Sequence, residues 1–192
     1  MRKCRLLYLL ILTLSGLLCF PKIIFAGLCV WRFPDRDIKE YFDADSYKTV
    51  IVDVPSAKKA TIEKRLGAKL DPDENQFRFW PVYKKGVRAG TIGTHLAKGD
   101  YGAIEVVVAL EHDPAGKNLK IRAVGIQRDR EKARAALRSP QFLNQFIGKT
   151  SNDPLEIGKD IKQAEGAVKS SQAIAFSVKK QLIVFEELMQ GK

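Results

Sequence analysis

Cysteine is nearly absent from this chain, and where it sits excludes more chemistry than its scarcity alone. Of three cysteines in 192 residues, Cys4 and Cys19 lie in an apolar N-terminal segment, which leaves Cys29 alone in the remainder. One thiol closes no internal disulfide, so a disulfide-stapled scaffold is excluded, while an oxidising compartment is neither required nor excluded. No Cys-x-x-Cys-His run occurs, so the chain carries no c-type haem of its own. Histidine is scarcer still, with only His95 and His112. No clustered cysteine or carboxylate set accompanies them at ligand spacing, so no metal site is expected, and both histidines read as ordinary surface. A Gly-x-Ser-x-Gly elbow, a Walker loop and a Cys/His nucleophile pair are also missing. No catalytic residues are nominated, and there is little basis for an independent hydrolase or transferase. Internal repeats, low-complexity tracts and obvious linkers are absent too, and the length leaves room for one domain.

Negative charge is in deficit, with 22 acidic against 33 basic residues and a formal net charge of +11. Arg2, Lys3, Arg5 and Lys22 supply four of those positive charges from the N-terminal segment, so the rest of the chain carries +7. A basic surface suits nucleic acid, anionic lipid or acidic redox partners; a domain that is simply basic explains the excess equally well. The long apolar run, residues 6–20, follows a basic start and is broken by Pro21 and Lys22, after which Ile24-Phe25-Ala26 offers a small-residue cleavage context. This is the pattern of a secretory signal, and the run falls short of the roughly 20 apolar residues that a bilayer crossing takes. Residues 1–26 are therefore expected to be a signal peptide, and residues 27–192 one exported, periplasmic domain. An uncleaved inner-membrane anchor stays open if residues 23–30 extend the segment past Lys22, and membrane association would then run through the N-terminus. Leu18 and Leu28 precede Cys19 and Cys29, which are poor contexts for lipidation. Export argues against nucleic acid as a partner.

Turn chemistry divides the rest. Residues 38–42 read as a helical turn and 47–54 as a strand rich in the β-formers Thr49, Val50, Ile51 and Val52. Ser56 reads as the N-cap of a helix over 57–66 that ends at Gly67. After the Asp71-Pro72-Asp73 turn, strands are expected at 76–83, 88–96 and 102–110, joined by hairpins at Lys84-Lys85-Gly86 and Lys98-Gly99-Asp100. A turn at 113–117 leads to a strand at 119–126. Sequential strands joined by tight turns imply an antiparallel meander. Helices follow at 128–137, then from Ser139-Pro140, with serine as cap and proline at the first position. The longest helix covers 166–187, with Ala167, Ser171, Ile174, Ala175, Val178, Leu182, Phe185 and Met189 at spacings of three and four. The expected class is α+β: an antiparallel sheet meander packed by helices, with a long C-terminal helix.

Three segments, in order, resemble the FMN-binding domain found in subunits of the sodium-pumping NADH:quinone oxidoreductase and the Rnf electron-transport complex. Gly99-Asp100-Tyr101-Gly102 with the apolar strand after it, and the turn Asp113-Pro114-Ala115-Gly116-Lys117, are similar to the family's glycine turn, strand and Asp-Gly-Lys turn. Residues 139–149 resemble its helix ending in Phe-x-Gly-Lys. Ala164-Glu165-Gly166-Ala167-Val168-Lys169-Ser170-Ser171 looks like the flavin-attachment stretch, Ser-Gly-Ala-Thr before a long helix. Gly166, Ala167, Ser170 and Ser171 match, but Glu165 replaces the serine, Val168 the threonine, and Lys162 a frequent aspartate. In the family, that threonine hydroxyl carries FMN as a phosphoester. Valine has no nucleophilic atom, so attachment at position 168 is chemically impossible.

The resemblance therefore implies FMN held without a covalent bond, with Gly166, Ala167, Lys169, Ser170 and Ser171 around its phosphate and Tyr101 with Gly102 near its ring. A helix N-terminus attracts phosphate, whereas Glu165 repels it, at about 1 kcal/mol in water and about 4 at intermediate dielectric for charges 4 Å apart. Simple capping of the helix uses the same residues, and both uses stay open. Phe77, Phe79, Trp80 and Tyr83 read as strand packing rather than ring stacking. The charged run 127–138 reads as a solvated helix face, with docking of an acidic redox partner as the sharper alternative. The resemblance implies an exported electron carrier rather than an independent enzyme. Its partners would be redox proteins such as cytochromes or a membrane quinone-linked complex. A flavin-free member serving as an interaction or structural module of a periplasmic redox complex is the alternative, and a small-ligand sensor is a third reading.

Overall fold

The computed structural model describes residues 33–190, and the segment read as a signal lies outside them. Strands β1 (Ser46–Tyr47) and β2 (Val50–Asp53) lie end to end along one edge of β3 (Gln76–Lys84). The sheet continues through β4 (Val87–Lys98), β5 (Ala103–Glu111) and β6 (Lys120–Arg128), and every pairing is antiparallel. The single strand expected over 47–54 is thus two, and Pro81 explains the break. Pairing of Tyr47 with Val82 puts Lys48 opposite Pro81, and the Lys48 N–H donates to the Pro81 carbonyl at 3.0 Å. Proline has no N–H to return the bond. At the other end of β3, Lys85 and Gly86 take φ of 50° and 77°, the two-residue turn whose twist suits a hairpin.

Helix α1 (Asp35–Phe42) covers one face of the sheet, with Ile38 and Phe42 against Trp80, Val82, Ile92, Val107 and Ala109. The other face carries α2 (Ser56–Leu66) and the long α5 (Val168–Met189), between which lie two short helices, α3 (Arg134–Leu137) and α4 (Pro140–Leu143), and a 3-10 turn at Asn144–Phe146. Cover on both faces explains why β5 is apolar without alternation: Ile104, Val106, Val108 and Leu110 point to one core, Val107 and Ala109 to the other. All eight apolar-stripe positions expected on the last helix are buried. Each of Ile174, Val178, Leu182 and Phe185 contributes about 1.5–3 kcal/mol by leaving water, and it is this docking that holds the helix. The mixed α+β class is as expected, and Phe77, Phe79 and Trp80 pack in the core.

Three local expectations are corrected. Ser56 is the first helical residue rather than the cap; Pro55 stands before it, and no side-chain cap bond forms. By contrast Ser139 does cap α4, its Oγ accepting the Phe142 N–H at 3.3 Å. Residues 128–137 are not one solvated helix, because β6 runs to Arg128 and helix exists only from Arg134. Asp129 and Glu131 turn inward at alternate positions and are buried, a period of two that a helix cannot accommodate. The histidines are not ordinary surface either, since both rings are drawn into the interior by hydrogen bonds to other side chains. Among the described residues no helix is long and apolar enough to cross a membrane.

Candidate functional site

The start of α5 and the turn between β4 and β5 meet, so the two sequence-distant halves of the nominated site are neighbours. Ser170 makes the join. Its Oγ donates to Glu131 Oε2 at 2.6 Å, lies 2.9 Å from Asp100 Oδ2 and accepts the Asp100 N–H at 3.0 Å. Ser170 N–H reaches Asp100 Oδ2 at 3.3 Å, and Tyr101 N–H donates to Glu131 Oε1 at 3.0 Å. Gly99 is required here, because a Cβ would collide with the Glu131 carboxylate and Ile104. Ser170 and Ser171 are buried, and Ser171 Oγ accepts the Ala164 N–H at 3.0 Å. Both hydroxyls thus serve the protein's own backbone and carboxylates.

What faces outward is different. Gly166 takes φ 68° ahead of the helix, and buried Ala167 occupies the cap position without a side-chain cap bond. The first four N–H groups of a helix lack intrahelical partners; that of Ala167 goes to the Ala164 carbonyl and that of Ser170 to Asp100, while the Ser171 N–H, on the Ala167 carbonyl, opens the helical ladder. The Val168 and Lys169 N–H groups remain, beside exposed Glu165 and Lys169 side chains and a Val168 that is 49% exposed. Tyr101, 51% exposed, carries Lys132 Nζ 4.6 Å from its ring centroid. Gly102, at φ 137°, has open space where a Cβ would stand. Sequence reasoning missed Asp100 and Glu131 as site residues. The alternation of cations at 128, 130 and 132 with carboxylates at 129 and 131 was the signal: it marks an extended segment with its acids turned inward.

A groove of about 400 Å³ runs beside α5, between Leu66, Gly67 and Ala68 at the end of α2, residues 155–157, and Gln172, Ala175, Phe176 and Lys179. These four helix positions follow Val168 by four, seven, eight and eleven residues, so they share its face. The floor is apolar, from Leu66, Leu155, Ala175 and Phe176, and the Lys179–Glu156 pair, 3.3 Å apart, stands at the rim.

No family model and no curated protein sequence matches the chain. Its fold is similar to that of NqrC from Shewanella oneidensis. The crystal structure of that protein superposes with a TM-score of 0.51 at 16% identity, over 79% of this chain and 84% of the other. At such identity the likeness to NqrC is one of fold.

A second polar cluster lies deeper, where α5 crosses β4. Ser177 Oγ is 2.8 Å from His95 Nδ1, and His95 Nε2 is 3.1 Å from Glu74 Oε1. Serine, histidine and carboxylate stand in the order of a hydrolytic triad, yet Ser177 is fully buried, so no substrate reaches its hydroxyl. The cluster is structural. Lys180 Nζ completes it, 2.8 and 2.9 Å from the two Glu74 oxygens. Burial works to raise the Glu74 carboxyl, but hydrogen bonds from His95, Lys180 and the Asp71 N–H outweigh it and bring the pKa down to about 2. His112 is likewise tied in: Nδ1 donates to the Asp113 carbonyl at 2.7 Å, Nε2 accepts from Thr91 Oγ1 at 2.9 Å, and the ring lies 4.9 Å from that of Phe185.

Proposed function

We propose that this chain is an exported electron-transfer protein that binds FMN without a covalent bond. The observation that carries the reading is the groove on α5, which lies along the helix face that begins at Val168, below the Val168 and Lys169 N–H groups, unpaired among the described residues, at the helix start. From Val168 to Ala175 the helix rises about 10 Å, a span suited to an extended ribityl chain between a phosphate at the first turn and a ring in the groove. The ring fits by size, since ligand pockets start at about 300 Å³. The phosphate fits only without the ester: Val168 offers no hydroxyl, while its N–H and that of Lys169 take no partner among the described residues and the Lys169 side chain is exposed. Asp100 and Glu131 sit on the inner side with Ser170, so Gly166 and Lys169 would meet the phosphate directly, while buried Ala167, Ser170 and Ser171 would shape the turn. Tyr101 and Gly102 would border the site from the β4–β5 turn. The resemblance to the FMN-binding family and the likeness to the NqrC fold support the same reading. When bound, FMN would supply reversible electron uptake, and the chain's part would be to hold the ring, exclude water from one side of it and present the other to redox partners, with a cytochrome or a quinone-linked membrane complex the expected kind.

Purified protein should be yellow, or take up added FMN, with the flavin released by acid. Phe176→Ala should weaken uptake by about tenfold, the effect of losing a stacked aromatic contact. Val168→Thr, produced together with a flavin transferase, should become fluorescent in a denaturing gel. A colourless protein that takes up no FMN would refute the reading. One observation favours the alternative of a flavin-free interaction module: Ser170 is already satisfied by Asp100 and Glu131, so the first turn of α5 is partly capped by the protein itself.

A further inference from the structure

We infer that the cavity at the end of β6 is a binding site for a phosphate monoester, held by Arg128, Arg134 and Arg138. The cavity measures about 340 Å³ and is lined by Gln127, Arg128, Asp129, Arg134 and Arg138. The three guanidinium groups are matched by two carboxylates, Asp129 at the cavity wall and buried Glu105 behind Arg128, which leaves a surplus of one positive charge. The Asp129 side chain is 1% exposed, so its negative charge is sealed behind its partners. A tetrahedral phosphate offers more acceptor oxygens than a carboxylate, so it can take N–H donors from all three forks at once. The volume exceeds that of a bare phosphate, leaving room for an organic substituent.

The arginines are fixed in place by acceptors on the inner side. Arg134 Nε donates to Asp129 Oδ1 at 3.0 Å and its Nη2 to the Asp129 carbonyl at 2.5 Å. Arg138 gives Nε and Nη2 to Asp129 Oδ2 at 2.9 and 2.6 Å, and Nη1 to the Ile126 carbonyl at 2.8 Å. Arg128 Nη2 holds buried Glu105 at 2.6 Å. A guanidinium has five N–H donors, so most of those on Arg128 and Arg134 are unspent. Forks already locked by buried carboxylates lose little further freedom on meeting an oxyanion, and their planar geometry suits paired bonds to phosphate. This cavity shares no lining residue with the α5 groove, so the inference stands apart from the flavin reading.

Calorimetric titration of the purified protein with inorganic phosphate, at ionic strength held constant with KCl, tests it. Saturable binding is expected, with a rise in melting temperature that KCl alone does not produce. Arg134→Gln should weaken phosphate by about tenfold, as loss of a charge-assisted pair does, and Arg134→Lys should restore only part of it. If Arg134→Gln does not fold, Arg128→Gln takes its place, with a loss of about fivefold expected. Phosphate acting no differently from KCl, or bound equally well by the variant, overturns the inference. FMN and riboflavin form parallel arms. FMN binding without phosphate binding overturns the oxyanion site and leaves the flavin reading standing; phosphate binding without FMN binding supports the site and removes the flavin reading.

Discussion

Replacing Glu74 with Gln tests whether a buried ion pair braces the middle of α5. Lys180 is 2% exposed, with Nζ at 2.8 and 2.9 Å from the Glu74 oxygens and 5.1 Å from the Phe176 ring centroid. Because the Glu74 carboxyl lies at about 2 in the folded protein against an ordinary 4.5, the unfolded chain binds the proton more readily. The resulting stabilisation is fully present above pH about 4.5 and is lost as the pH falls towards about 2. A pKa difference of that size corresponds to about 3 kcal/mol, which partial solvent access reduces to about 2. Gln removes this contribution and leaves the Lys180 ammonium buried with no carboxylate. Breaking a buried pair from one side costs about 3–5 kcal/mol, and the partial access of Glu74 places the expected loss at about 3 kcal/mol near pH 7. Urea unfolding followed by circular dichroism, repeated from neutral to acid pH, measures both effects. The variant should lose less stability than the parent between pH about 4.5 and about 2, and Glu74→Gln/Lys180→Met should recover at least about 1 kcal/mol over Glu74→Gln. Parallel acid limbs in parent and variant, or a neutral-pH loss below about 1 kcal/mol, would refute the reasoning.

Burial holds the His112 imidazole below its ordinary 6.5, so the neutral form is favoured in the folded state and stability should fall as the pH drops below about 6.5. His112→Gln should flatten the melting temperature between pH about 7 and about 5. Gly93→Ala drives a methyl into the Gln181 side chain and against the Phe79 ring, and thermal unfolding should show a loss of about 1–3 kcal/mol. Ser170→Ala strands the buried Glu131 carboxylate without its hydroxyl donor; a loss of about 1–3 kcal/mol is expected, together with faster amide exchange at Asp100 and Tyr101. Ser139→Ala removes the α4 cap and should cost about 1 kcal/mol in chemical denaturation.

The meander was legible because its turns announce themselves. Lys85-Gly86 and the Asp113 turn, where the carboxylate accepts the Ala115 and Lys117 N–H groups at 3.0 and 2.8 Å, are set by chemistry within a few residues. The α5 stripe was legible for the same reason, since periodicity needs only the helix itself. The break at Lys48 was not, because the proline responsible belongs to another strand. Nor was the inward turn of Asp129, whose arginine partners stand five and nine residues on and find it only once β6 has ended.

Composition, turn residues and apolar spacing determined the class of fold, the order of its strands and the long last helix, and Val168 alone closed off the ester. Those are properties of short stretches or of single atoms. Tertiary structure decided what each polar group faces: Ser170 towards Asp100 and Glu131, His95 towards Ser177 and Glu74, three arginines around one cavity. Such pairings join residues far apart in the chain, and no local rule specifies them, because a side chain's partner is set by how helices and sheet pack against one another.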